Sequence, residues 1–190
     1  MRPVKVTLNA VGVSQWIPLS YVQPSFGVGL GIAPWYNASG LTCHVEHTFD
    51  DLTAVHNIQV TRSGTTATVF DPGKLGLGHG LSTGDCVIVR GSGSTVLNSP
   101  VPTIGSGLVG NTVTVTGVNS YTYTVANSGP TADQGVTQVT ELRVFTHDVL
   151  TAVSTRTDGN YQFPVRACRL NVTALVAGGV EFFVLEGIGS

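Results

Sequence analysis

Apolar and polar residues alternate with a period of two through much of the chain, the pattern of strands that pack on one side. Residues 2–8 set Val4, Val6 and Leu8 against Lys5 and Thr7. In residues 41–49, Leu41, Cys43, Val45, His47 and Phe49 share one face, and Thr42, His44, Glu46 and Thr48 share the other. Residues 11–19 and 136–145 read as further strands. In residues 26–32 every second position is glycine, so one face is apolar and the other bare backbone, as where something packs closely on a sheet. Pro24-Ser25 breaks the chain, and residues 34–40 form a turn. Asp50-Asp51 closes the 41–49 strand, with Asp51 capping a short helical turn over 52–56.

Residues 163–186 hold two β-rich runs around Gly178-Gly179, a pair suited to a two-residue hairpin turn. That register places Thr173 opposite Val184 and Val172 opposite Leu185. One face then carries Leu170, Val172, Ala174, Phe183 and Leu185, and the other Thr173, Leu175, Phe182 and Val184. A half-buried ribbon is polar on one side. This one is apolar on both, which predicts a second covering surface. Thr173, Leu175, Phe182 and Val184 are the candidate subunit or shell interface.

Between residues 59 and 135 the texture changes to Gly, Thr and Ser with few large apolar side chains. Ser63-Gly64 and Asn119-Ser120 mark two hairpins. Asp71-Pro72-Gly73 turns, residues 91–110 and 127–135 are loops, and Asp85 is placed to accept bonds from nearby backbone amides. Asp158-Gly159 is a further turn signal. The fold class is all-β. A discontinuous β-sandwich base domain, jelly-roll-like, spans 1–58 plus 136–190, and a small β-barrel or sandwich domain is inserted at 59–135.

Composition narrows the function. Only 11% of the 190 residues are charged and 24 are glycine, which suits strands and tight turns and a surface largely covered by partners. A formal net charge of −2 gives no basic footprint for nucleic acid. No apolar run approaches the ~20 residues of a membrane span, and the start of the chain lacks a secretory apolar region. Cys43, Cys86 and Cys168 are odd in number and widely spaced, so they read as buried thiols.

Candidate chemistry is sparse. His44 and His47 fall on opposite faces of a strand, and His56, His79 and His147 have no ligand partners nearby in sequence, so no metal is expected. Asp50-Asp51 as an acid pair is weaker than turn capping, which also accounts for Asp71, Asp85, Asp133 and Asp158. Cys168 has only Arg166 and Arg169 to activate it and shares a face with Leu170 and Val172. Gly27, Gly29 and Gly31 lack the helix and Lys-Ser/Thr of a phosphate loop. No catalytic residue and no cofactor is expected. Tyr121, Tyr123, Tyr161, Trp16 and Trp35 are candidates for a sugar-binding surface, against cross-strand packing.

Residues 45–51 (Val-Glu-His-Thr-Phe-Asp-Asp) and 158–173 (Asp-Gly-Asn-Tyr-Gln-Phe-Pro-Val-Arg-Ala-Cys-Arg-Leu-Asn-Val-Thr) resemble small virion proteins of tailed bacteriophages, similar to capsid decoration (cement) and head-fibre-type components. Residues 80–85 (Gly-Leu-Ser-Thr-Gly-Asp) and 121–125 (Tyr-Thr-Tyr-Thr-Val) resemble a β-module inserted in many phage structural proteins. His47 departs from the pattern, where Tyr or Phe is more usual. The resemblance implies a non-enzymatic protein of the capsid surface, made in the host cytoplasm. Its implied partners are the major capsid protein, other virion proteins and further copies of itself as a dimer or trimer, with neither nucleic acid nor membrane. A tail, connector or fibre component and a carbohydrate-binding module are the alternatives.

Overall fold

A computed structural model describes residues 3–22, 27–73, 76–93, 97–99, 109–126 and 136–187. Outside them lie the Pro24-Ser25 break, Phe26, Asp133, the greater part of the loop expected at 91–110 and all of the one expected at 127–135. The chain divides into two compact units, residues 1–49 with 145–190 and residues 50–144. Residues 50–58 and 136–144, assigned to the base from the change in composition, belong to the second unit. The start of one of its strands, His56–Ser63, pairs there with the strand Thr137–Leu142.

The base unit is a two-sheet sandwich. One sheet holds β1 (Pro3–Leu8), β16 (Val180–Glu186), β4 (Val28–Pro34) and β14 (Thr157–Tyr161), in that order. The other runs β13 (Phe145–Thr146), β5 (Thr42–Thr48), β15 (Ala167–Ala174), β2 (Gly12–Val13), and β3 (Ile17–Pro18) continues β2 along β15. With β2 and β3 counted as one interrupted strand, the base order is 1-8-3-6 in one sheet and 5-4-7-2 in the other. First pairs with last and second with next-to-last, the nested topology of a jelly roll. All pairings are antiparallel. Inward residues of both sheets fill the space between: Leu30, Ile32, Phe182 and Val184 from one, Cys43, Val45, Leu170 and Val172 from the other.

This topology overturns the hairpin expected at Gly178-Gly179. β15 and β16 lie in different sheets, and residues 175–179 carry the chain across the sandwich. Gly178 is needed for its positive φ of 84° and because a Cβ there would meet the backbone of Ala38 at 2.6 Å. The face assignment falls with the hairpin. Phe182 and Val184 are fully buried with Leu170 and Val172 in a single core, so neither is available to a partner. Thr173 is exposed, and Leu175 packs against the core edge. Asp158-Gly159 is no turn either, because both lie within β14.

In the second unit, β6 (His56–Ser63) and β7 (Thr66–Phe70) form one expected hairpin and β10 (Thr114–Gly117) and β11 (Ser120–Thr124) the other. The turns fall on Gly64-Thr65 and Val118-Asn119, each one residue from the dipeptide expected, because Ser63 pairs with Thr66 and Ser120 with Gly117. With β12 (Thr137–Leu142), β8 (Cys86–Arg90) and β9 (Asn111–Thr112) they make one seven-stranded sheet, β10-β11-β7-β6-β12-β8-β9. It is not closed into a barrel. Its two edge strands are successive stretches of one run, bent at Val113, whose N–H and C=O bond to Asp85 and Gly84. The sheet therefore curls around a core that includes Val60, Val69, Val87, Leu97, Tyr121 and Val139. Asp51 forms a polar turn, not a helix, with Oδ1 accepting from the Thr53 amide and hydroxyl.

Candidate functional site

In the second unit, three neighbouring strands end in polar residues on the face that elsewhere is core. Along β6 that face reads His56, Ile58, Val60. Along β7 it reads Ala67, Val69 and then Asp71. Along β12 it reads Val139, Glu141. Because the strand order is β7-β6-β12, the three polar ends converge, and their ligand atoms lie within 4.8 Å of one another. His56 Nε2 is 2.6 Å from Asp71 Oδ2, and Asp71 Oδ1 accepts from the Gly73 amide at 2.8 Å. Glu141 Oε1 is shielded from solvent and has no hydrogen-bond partner, and so is the hydroxyl of Tyr121. Burial first, then the charges of Asp71 and Asp50 and a hydrogen bond with Asp71, push the Glu141 carboxyl up to about 8, against the pull of Arg143. Tyr121 is likewise pushed up, by burial and then by Glu141 and Asp71.

His56 and Glu141 open onto a cavity of about 220 Å³ whose wall also includes Asp50, Asp51, His79 and Arg143. Arg143 pairs with Asp50. His79 is committed elsewhere, with Nδ1 accepting from the Leu81 amide and Nε2 against the Gly117 carbonyl. The sequence reading, which expected no metal and no ligand partner for His56, missed this cluster. Its members are 15 and 70 positions apart along the chain. Asp71 is more than a turn residue, although it also caps the Asp71-Pro72-Gly73 turn.

A second feature lies in the base unit. His47 on β5 is buried among the rings of Tyr161 (5.2 Å between centroids), Phe49 (5.3 Å), Phe145 (5.8 Å) and Phe163 (6.0 Å). Phe145 on β13 stands opposite His47 in register. Burial and then His147 push the His47 imidazole down, against Asp148. It therefore stays neutral at neutral pH and packs as an aromatic ring would. Phe49, Phe145 and Phe163 are 45%, 45% and 44% exposed and touch one another through Phe49.

No family model matches this chain, and neither does any curated protein or solved structure.

The remaining candidates are dispersed. Tyr121, Tyr123, Tyr161 and Trp16 are buried, and Tyr123 donates to the Leu97 carbonyl. The sugar-binding surface is thus reduced to Trp35. Cys43, Cys86 and Cys168 are buried free thiols, and burial pushes Cys43 up to about 11 and Cys168 further, so neither supplies a thiolate nucleophile. Among the described residues no helix is long and apolar enough to cross a membrane.

Proposed function

We propose that this chain is a structural component of a bacteriophage virion, a decoration or cement protein that seats on the head shell as a homo-oligomer and binds the major capsid protein. The observation that carries the reading is the half-exposed Phe49–Phe145–Phe163 patch. Two of its three rings come from the segments, 45–51 and 158–173, that resemble phage virion proteins. β5 and β15, which those segments overlap, are paired neighbours in the structure. A jelly roll occurs in viral capsid proteins and also in lectins, so the fold supports the reading only by analogy.

Three phenyl rings suit a shell contact. At ~25 cal/mol per Å² of apolar area, covering a few hundred Å² supplies several kcal/mol before ordering costs. Repetition over many equivalent sites on a shell multiplies weak contacts through avidity. Low charge removes repulsion between closely packed copies.

Imaging of purified particles of the phage that makes this chain tests the reading. Density for the jelly roll at regular positions on the head, with the phenylalanine patch against the shell, is expected. A Phe49→Ser, Phe163→Ser double variant that folds is expected to leave the head. Density at the tail or connector keeps a virion role and removes the decoration role. Particles that lack the chain altogether overturn both.

A further inference from the structure

We propose that His56, Asp71 and Glu141 bind one divalent transition-metal cation, zinc being the type, at the end of the insert's core. This goes beyond the virion reading and does not depend on it.

The donor set selects the ion. One imidazole with two carboxylates suits zinc and its first-row neighbours, whereas magnesium and calcium favour oxygen alone. Each ligand stands on or beside a different strand of one sheet, so the backbone holds the cage. Around a tetrahedral ion with bonds of roughly 2.0–2.2 Å, donor atoms sit about 3.4 Å apart. The 2.6 Å pair His56–Asp71 has to open by less than 1 Å, and atoms at the 4.8 Å limit close by a little more.

Two further observations point the same way. The first is charge. Asp50, Asp51, Asp71 and Glu141 converge here, and Arg143 is the only Lys or Arg lining the cavity among the described residues. Carboxyl groups gathered in one partly buried site repel one another when ionised, and a bound cation offsets that repulsion. The second is a pair of unmet polar atoms. Glu141 Oε1 has no partner, and the hydroxyl of Tyr121, whose side chain is fully buried, has none either. Tyr121 stands on β11, next to β7 in the same sheet, opposite Val69. A bound cation takes the first as a ligand. His79 does not extend the set, because both its nitrogens are engaged.

The full chain, stripped with EDTA and dialysed, is titrated with ZnCl2 by calorimetry and followed by thermal unfolding, with MgCl2 in parallel. One zinc per chain is expected, with a rise in Tm that MgCl2 at equal concentration does not reproduce. Glu141→Gln keeps the side-chain volume and removes the carboxylate that the ion would take as a ligand. It is expected to unfold no earlier than the parent without metal, yet to bind zinc at least tenfold more weakly. His56→Gln is expected to lose binding similarly, and His44→Gln, a histidine outside the cluster, to keep it. Absence of one-to-one binding overturns the proposal. So does a zinc affinity unchanged within twofold in whichever of the Glu141 and His56 variants folds.

Discussion

Phe183 on β16 stands directly opposite Gly31 on β4, and its side-chain carbons lie 3.7 and 3.9 Å from where a Cβ on that glycine would be. Leu185 stands over Gly29 in the same way, its Cβ at 3.7 Å. The outward apolar residues of β16 thus cover the bare backbone of their own neighbour strand. This explains an apolar outer face without any second protein, as large side chains shelter cross-strand glycines. Phe183→Ala is expected to lower the stability of the base unit by about 1–2 kcal/mol, for a partly buried ring, in urea unfolding. Its sedimentation is expected to match the parent. A change in oligomeric state would show that another chain, not β4, is what Phe183 covers.

Gly159 has a different reason for being glycine. It lies inside β14, and a Cβ there would sit 2.9 Å from Leu150 Cδ1 and 3.1 Å from its Cγ. Leu150 is fully buried, so it cannot simply swing aside. Gly159→Ala is expected to cost about 1–3 kcal/mol by overpacking, and Gly159→Ala with Leu150→Val to recover part of it. Thermal unfolding of the three variants checks the pair. An alanine variant as stable as the parent removes close approach as the reason.

What was legible in the sequence depended on distance along the chain. The 41–49 strand and the two hairpins of the second unit are local, and alternation plus turn-forming residues locates them to within one position of the observed turns at Gly64-Thr65 and Val118-Asn119. The pairing of β16 is not local. Val4 meets Val184 and Leu30 meets Val184, while Gly178-Gly179 announces only that the chain bends. A bend between two strands is equally a hairpin and a crossing between sheets. Asp158-Gly159 misled for a related reason, because its glycine answers a neighbour, Leu150, that only the fold reveals. The polar cluster did leave a trace. His56, Asp71 and Glu141 each continue the inward alternation of a strand, where an apolar residue is the norm, but nothing in one dimension says that the three ends meet.

Asp85 joins distant parts of the insert. Its Oδ2 accepts from the Ser82 amide at 2.7 Å and its Oδ1 from the Val144 amide at 2.8 Å, and its backbone carbonyl accepts from Val113. The side chain is buried, and each carboxylate oxygen accepts from one backbone amide. Asp85→Asn keeps the shape but turns one acceptor into a donor facing an amide. It is expected to cost about 1–3 kcal/mol and to raise amide exchange at Ser82 or Val144. Exchange at both positions unchanged from the parent would contradict the assigned roles.

Glu46 gives the base unit an acid-sensitive stability. Its carboxylate is buried on β5 and accepts from Arg169 Nε at 2.6 Å and Asn171 Nδ2 at 2.7 Å, with His44 Nε2 at 3.0 Å. Burial alone opposes ionisation. The His44 hydrogen bond, the Arg169 charge and the Asn171 and Arg169 hydrogen bonds outweigh it and hold the group at about 2, below its ordinary 4.5. The folded value is depressed, so the stabilisation is present above about 4.5 and is lost as pH falls from there towards 2. It amounts to roughly 3 kcal/mol at neutral pH. Both tryptophans, Trp16 and Trp35, belong to the base unit, so their fluorescence reads its unfolding alone. The midpoint of that transition is expected to fall steeply between pH 4.5 and 2.5. Glu46→Gln leaves Arg169, buried against the Trp16 ring at 4.4 Å, without its counter-charge. This variant is expected to be less stable at pH 7 and to show a much flatter response over the acid range. A parent and variant with parallel acid profiles would mean that Glu46 is not the group responsible.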